Sequence, residues 1–336
     1  MEFSPFRVLD LPFVSLREVA LCWDPYELMN IYHSSKRMKN AIKSMPLKNK
    51  YKTKIYLSFF PKMWLRSNGF GYGFLERRRS EELENLSNCC HLGEAVINKV
   101  KIIFNDVLEL FGCKVHSVHF DDYNLCKRCI LSMMDWLISL QASIDIFTLK
   151  NITDYGKEVF YLTQKLKINK ALLFGMLSTS DGWDSLPVKF DVDFLQLDKW
   201  DFDRWFSIDD IIFSNCIVFD FGNLQFSVFD INRFIKSWIQ GSNSRMKYFR
   251  VNSKLMDYHD LINGIQVIEN DRLVSRTFTY YGPELLNFFE FVGGSDVQSI
   301  SGKRATFQQD SRMEYTHDGR TARKVFFPFQ MVVWDD

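Results

Sequence analysis

Eight thiol and imidazole side chains crowd one stretch of this 336-residue chain: Cys89, Cys90, His91, Cys113, His116, His119, Cys126 and Cys129 lie within 41 residues. All are zinc-ligand types, and Cys126-Lys-Arg-Cys129 has the C-x2-C spacing that puts two thiolates on one ion. The surrounding pattern argues for a different use. Cys126, Ile130, Met133, Leu137 and Leu140 form one apolar helical stripe, and Cys129 lies within the same helix. A spacing of three puts His116 and His119 on opposite faces of a strand, and no second C-x2-C follows. Buried thiols are therefore expected; a zinc-dependent enzyme or zinc-stabilised module is the alternative. Asp181-Gly-Trp-Asp184 reads as a polar turn anchored by its Trp rather than a carboxylate pair. Asp191, Asp193, Asp198, Asp201 and Asp203 lack the central Gly and terminal Glu of an EF-hand loop. Gly69-Phe-Gly-Tyr-Gly-Phe74 lacks both the spacing and the following apolar helix of a phosphate loop, and reads as a hairpin or strand end. No catalytic constellation emerges. The chain is expected not to be an enzyme and to hold no metal or cofactor.

The elements around these residues follow from periodicity. Short apolar strands recur at Val118/Phe120, Phe147/Leu149, Leu172/Phe174, Leu195/Leu197, Ile217/Phe219 and Phe249/Val251. Helical stripes fill several gaps: the Ile130–Leu140 stripe, then Val159, Leu162 and Leu166. Ser207-Ile-Asp-Asp210 and Ser227-Val-Phe-Asp230 have the form of capping boxes, with Asp in place of Glu or Gln. The second precedes Ile231, Phe234, Ile235 and Trp238, and Gly241 stands where a helix would end. A strand and a return helix every 20–30 residues is the pattern of an irregular leucine-rich-repeat-like solenoid. Its strands must be parallel, because the connections are long crossovers. A non-repeating α/β domain is the alternative.

Hydrophobic residues make up 46% of the chain, including 32 Phe, enough for a substantial core and too many for a disordered chain. No run of 18 apolar residues predicts a membrane span. The start carries Glu2, Arg7 and Asp10 and lacks the apolar core of a signal peptide. Seven cysteines in a chain of this kind read as reduced thiols, which points to the cytoplasm or nucleus. Charge is uneven: residues 36–66 hold ten Lys/Arg and no acid, whereas 181–230 hold eleven Asp and three basic residues. The basic stretch carries Tyr51, Tyr56 and Trp64, but base-stacking motifs are absent and the rest of the chain is not basic. A solvated linker and strand edge is expected there rather than a nucleic-acid surface.

The first 45 residues are the most patterned. Leu11-Pro12 marks one helix start. Asp24-Pro25 marks a second, with Asp24 as N-cap. Leu16/Val19 and Leu28/Ile31 repeat a spacing of three, and Ser34-Ser-Lys-Arg37 opens a further helix. So short a segment buries little apolar surface alone and is expected to dock against something else. These residues resemble an F-box, with Leu11-Pro12, Asp24-Pro25, Leu28 and Ser35-Lys36-Arg37 filling its places. Phe13 stands where an acid is common, and Trp23 where a leucine is common. Asp230-Ile-Asn-Arg-Phe-Ile-Lys-Ser-Trp-Ile-Gln-Gly241 and Ser244-Arg-Met-Lys-Tyr-Phe-Arg-Val251 are similar to the type 2 F-box-associated domain of nematode-type F-box proteins. Asn232, Phe234, Lys236, Trp238 and Gly241 carry that likeness. His317–Phe327 resembles its closing hairpin, with Asp318-Gly319 as the turn.

The expected fold is therefore α/β: an F-box over 5–45, a connector and β-rich entry over 46–92, and a strand–helix region over 93–330. The F-box-associated domain lies at about 190–330, with a C-terminal β-hairpin. The resemblance implies a non-catalytic substrate receptor of a cullin–RING ubiquitin ligase. Leu11, Pro12, Leu16, Val19, Pro25, Leu28 and Ile31 would meet the Skp-type adaptor, while the C-terminal region would bind a protein substrate. Asn232, Phe234, Trp238, Gly241, Asp318 and Gly319 would be structural. A stand-alone interaction scaffold is the alternative.

Overall fold

The computed structural model describes residues 10–45, 51–58, 61–67, 70–75, 94–121, 127–150, 165–175, 189–198, 207–222, 226–271, 273–283, 286–309, 313–316 and 323–334. The chain divides into two compact units, residues 1–141 and 142–336.

The first unit opens with α1 (Phe13–Cys22), α2 (Pro25–Ser34) and α3 (Lys36–Lys43). Pro12 is the N-cap of α1, one position earlier than a first-turn proline, and its carbonyl accepts the Leu16 N–H at 2.9 Å. Asp24 caps α2 through a complete capping box with Glu27, with Pro25 at the first helical position, and Ser35 caps α3. These local bonds satisfy N–H groups that the helix ends would otherwise leave open. The strands β1 (Lys52–Leu57), β2 (Lys62–Ser67) and β3 (Phe70–Leu75) form an antiparallel meander; β4 (Val115–Asp121) pairs parallel with β1. The Trp64 ring of β2 lies against Gly71 and Gly73 of β3; a Cβ on either would make ordinary van der Waals contact with it, at 3.5 and 3.4 Å. Helices α4 (Glu94–Phe111) and α5 (Lys127–Leu140) complete the unit. They are joined by Trp136 Nε1 to Asn105 Oδ1 at 3.0 Å and by Phe104 packing on the Trp136 ring.

In the second unit, β5 (Ser143–Lys150), β6 (Lys167–Gly175), β7 (Phe194–Asp198), β8 (Val218–Phe221) and β9 (Tyr248–Ser253) lie side by side in chain order, all parallel. All five strands fall on the apolar recurrences of the sequence. Helix α6 (Ile208–Phe213) returns the chain between β7 and β8, and α7 (Val228–Ile239) between β8 and β9. Both start in the capping boxes expected at Ser207/Asp210 and Ser227/Asp230. Of the stripe at 159–166, only Leu166, which is buried, lies among the described residues.

Beyond β9 the parallel run stops. The sheet continues through β16 (Arg323–Val333), β14 (Arg304–Gln309), β13 (Ser295–Gln298) and β10 (Ile268–Glu269), all antiparallel. Periodicity in the sequence did not show this extension. The expected C-terminal hairpin is present, with β15 (Met313–Thr316) paired to β16; its proposed turn, Asp318-Gly319, lies outside the described residues. Two further strands, β11 (Ser275–Tyr281) and β12 (Leu286–Val292), form a separate antiparallel ribbon, and α8 (Tyr258–Leu261) precedes β10.

Strand alternation gives this sheet two apolar faces. Phe219, Phe221, Phe249 and Met331 share one face, where Phe234 of α7 stacks on Phe249 with ring centroids 4.3 Å apart. Ala171, Phe194, Val218, Tyr248 and Val332 form the other, and the ribbon covers it with Tyr280 and Phe291. No helix among the described residues is long and apolar enough to cross a membrane.

Candidate interaction surfaces

The three N-terminal helices are not free-standing, because α2 and α3 dock on α4. Tyr32 donates to Glu109 Oε2 at 2.8 Å, and Lys39 Nζ pairs with Asp106 Oδ1 at 3.2 Å. Lys43 also pairs with Glu109, and His33 Nε2 lies 3.7 Å from Asp106. The hydrogen bonds from Lys43 and Tyr32 hold the Glu109 carboxyl below its usual range, against the opposing effect of burial. Tyr26 clips α2 to β3: its hydroxyl donates to the Gly73 carbonyl at 2.9 Å and accepts the Gly73 N–H at 3.0 Å.

This packing sorts the residues read from the sequence as adaptor contacts. Leu16, Pro25 and Leu28 are buried inside the unit, and Leu11 and Ile31 are half-buried. Pro12 and Val19 are the exposed members. Helix α1 turns further apolar side chains outward: Phe13 is 50%, Val14 67% and Leu21 44% exposed. Helical spacing marked the stripe that faces inward; this outward set lacked a signal, because spacing alone cannot tell a stripe covered by the chain from one left open.

In the second unit, Asn232, Phe234 and Trp238 of α7 are buried, whereas Lys236 is exposed. Trp238 is 2% exposed. Asn232 Nδ2 donates to the Leu261 and Asn263 carbonyls at 2.8 and 3.0 Å, tying α7 to the end of α8. Gly241 has φ +99°, and the Gly241 and Ser242 N–H groups bond back to Trp238 and Ser237. This is a Schellman ending that favours glycine. Among the described residues of the acidic run, most carboxylates have partners. Asp210 and Asp230 complete capping boxes. Arg245 bridges Asp191 (3.3 Å) and Asp193 (2.5 Å), Arg233 pairs with Asp209 at 2.6 Å, and Arg250 lies 3.8 Å from Asp220.

The ribbon is fixed by polar groups drawn from far apart in the chain. Asp296 Oδ1 accepts from Thr306 Oγ1 (2.5 Å) and Asn270 Nδ2 (2.7 Å), while both Arg276 terminal nitrogens lie 3.4 Å from Oδ2. Trp334 Nε1 donates to Thr306 Oγ1 at 2.7 Å, and the Arg276 guanidinium sits 5.5 Å from the Trp334 ring centre. The network joins β11 to β13 and β14. Below the ribbon, Tyr248 stacks with Phe278, Tyr280 and Phe289 at 5.6, 5.4 and 4.9 Å. Burial, then the nearby Asp220 carboxylate, pushes the Tyr280 phenol up. The outer face keeps Tyr281 (85%) and Phe288 (76%) exposed.

Among the described residues, the thiols and imidazoles of residues 89–129 do not converge on a metal site. Cys113 is buried and accepts from Thr53 Oγ1 at 3.0 Å, Cys129 is buried, and His119 stacks on Tyr56 at 4.5 Å. Burial pushes the Cys216 thiol up to about 12 and raises that of Cys113. Cys89, Cys90, His91 and Cys126, with Asp181 and Asp184, lie outside the described residues. Among the described residues no group of three His, Cys, Asp or Glu side chains could hold a metal ion.

Comparison with known proteins bears on the second unit. No curated protein and no solved structure matches the chain. Residues 187–251, from just before β7 into β9 and including the Trp238 helix, match the family model described as F-box associated.

Proposed function

We propose that this chain is a non-catalytic substrate receptor of a cullin–RING ubiquitin ligase, of the nematode F-box type with a type 2 F-box-associated domain. The observation that carries the reading is the F-box-associated match at residues 187–251. Helices α1–α3 dock on the Skp-type adaptor, with the exposed α1 set of Phe13, Val14, Val19 and Leu21 as the contact. The second unit, a leucine-rich-repeat-like parallel run with an antiparallel extension, binds a protein substrate. The chain does no bond chemistry and needs no cofactor. It raises the effective concentration of substrate lysines near the charged ubiquitin-conjugating enzyme, in the cytoplasm or nucleus.

Affinity purification from cells, read by mass spectrometry, tests this division of labour. Wild-type chain should bring down adaptor, cullin and substrate. The Val14→Asp/Leu21→Asp variant should lose adaptor and cullin and keep the substrate. If wild type captures no ligase subunit, the stand-alone scaffold is the correct reading.

A further inference from the structure

Beside the ribbon, the segment leaving β9 and the turn into β13 enclose an open groove of about 580 Å³. Phe307, 2% exposed, and Leu261, 3% exposed, line its inner part, and Leu255 (68%) and Val292 (51%) stand exposed at its rim. The walls are preformed. Gln309 Nε2 donates to the Lys254 carbonyl at 2.9 Å, and its Oε1 accepts the Met256 N–H at 3.1 Å. The Tyr258 hydroxyl lies 2.8 Å from Ser295 Oγ and donates to Glu269 Oε1 at 3.2 Å. Gly294, at φ +85°, passes so close to β14 that a Cβ there would sit 2.8 Å from the Phe307 carbonyl oxygen. Among the described residues, one carboxyl group lines the groove, that of Glu290, oriented by Ser275 Oγ at 2.5 Å, and no Lys or Arg does. The volume lies in the range of specific ligand pockets, roughly 300–1,000 Å³. Leu255 and Val292 offer an apolar rim to an occupant.

We infer that this groove takes an extended segment of a partner protein, with a large apolar side chain seated between Leu255 and Val292 and a Lys or Arg beside Glu290. The inference rests on the substrate-receptor reading only in calling that partner a substrate. Charge selects the occupant. A two-fold contact with a second copy would set the same patch against itself, and Glu290 would meet a lining that holds no Lys or Arg among the described residues. A basic, apolar peptide meets both features of the lining.

The test is selection of random heptapeptides displayed on phage against the full chain, followed by fluorescence anisotropy of the selected peptides. The selected sequences should pair Leu, Ile, Met or Phe with a neighbouring Lys or Arg. Leu255→Asp should weaken their binding at least tenfold, and Glu290→Lys should exchange the basic preference for an acidic one. Both positions are exposed, so thermal melts should match wild type; if Leu255→Asp melts early, Val292→Asp takes its place. The inference is overturned if no such sequence is selected or if the peptides bind the variants as they bind wild type. It is equally overturned if the free chain is a dimer that Leu255→Asp converts to monomer. Failure of the ligase reading would appear separately, as loss of adaptor capture with peptide binding unchanged.

Discussion

Replacing Asp296 with alanine removes the acceptor at the centre of the network that fixes the ribbon. The Asp296 side chain is 8% exposed and that of Arg276 27%, so the substitution leaves a largely buried guanidinium without its carboxylate. Breaking one side of a buried ion pair costs about 3–5 kcal/mol. Arg276 retains Thr306 Oγ1 at 3.1 Å and Asn270 Oδ1 at 3.3 Å and is partly solvated, which moves the loss to the lower end. Thr306 and Asn270 each lose an acceptor, which adds to it. We expect about 3 kcal/mol, or roughly 6–12 °C in the melting midpoint for a unit of this size. The assay is urea denaturation of the full chain followed by the far-ultraviolet signal, run as a double-mutant cycle. The pair Asp296→Ala/Arg276→Met leaves no uncompensated charge, so its loss should fall below the sum of the Asp296→Ala and Arg276→Met losses by more than about 1 kcal/mol. A loss under about 0.5 kcal/mol for Asp296→Ala, or strict additivity in the cycle, would refute the view that this network clamps the ribbon.

Three further outcomes follow from packing and charge. Trp238→Ala should destabilise the second unit by about 3–5 kcal/mol; a variant that melts like wild type would show that the side chain is not core. Glu109 has a lowered carboxyl pKa in the folded chain, so its contribution is present above the ordinary carboxylate range and is lost as pH falls through the lowered value. Glu109→Gln should therefore lower the midpoint at pH 7, by a margin that shrinks as pH falls below the ordinary carboxylate range and vanishes once the folded carboxyl is protonated; a margin that stays constant through that fall would contradict the sign. Cys22 is exposed, whereas Cys113, Cys129 and Cys216 are buried. Maleimide labelling mapped by mass spectrometry should modify Cys22 rapidly in the native chain and the other three after unfolding; rapid native labelling of Cys216 would be the wrong result.

What the sequence disclosed depended on how local the physics is. The capping boxes at Ser207 and Ser227 were legible because a cap needs two residues three apart. The parallel strands were legible because each is a short apolar run followed by a crossover. The glycines of β3 read as strand or hairpin, but their contact with the ring of Trp64 exists only once β2 and β3 are in register. The ribbon clamp left no trace, since Asn270, Arg276, Asp296, Thr306 and Trp334 meet through sheet pairing rather than spacing. The same limit applies to α1. Periodicity picked out Leu16 with Val19, yet only the tertiary structure separates the buried Leu16 from the exposed Phe13, Val14 and Leu21. In the acidic run, composition reported a charge excess, while the fold gives Asp210 and Asp230 to helix caps and Asp191, Asp193, Asp209 and Asp220 to arginine partners.

The central claim concerns assembly, and the most direct measurement is the mass of the full chain mixed with purified Skp-type adaptor, by light scattering coupled to size exclusion. A substrate receptor predicts one stable complex of one chain and one adaptor, abolished by Val14→Asp/Leu21→Asp and unaffected by Leu255→Asp. Two separately eluting species for the wild-type chain would contradict the account.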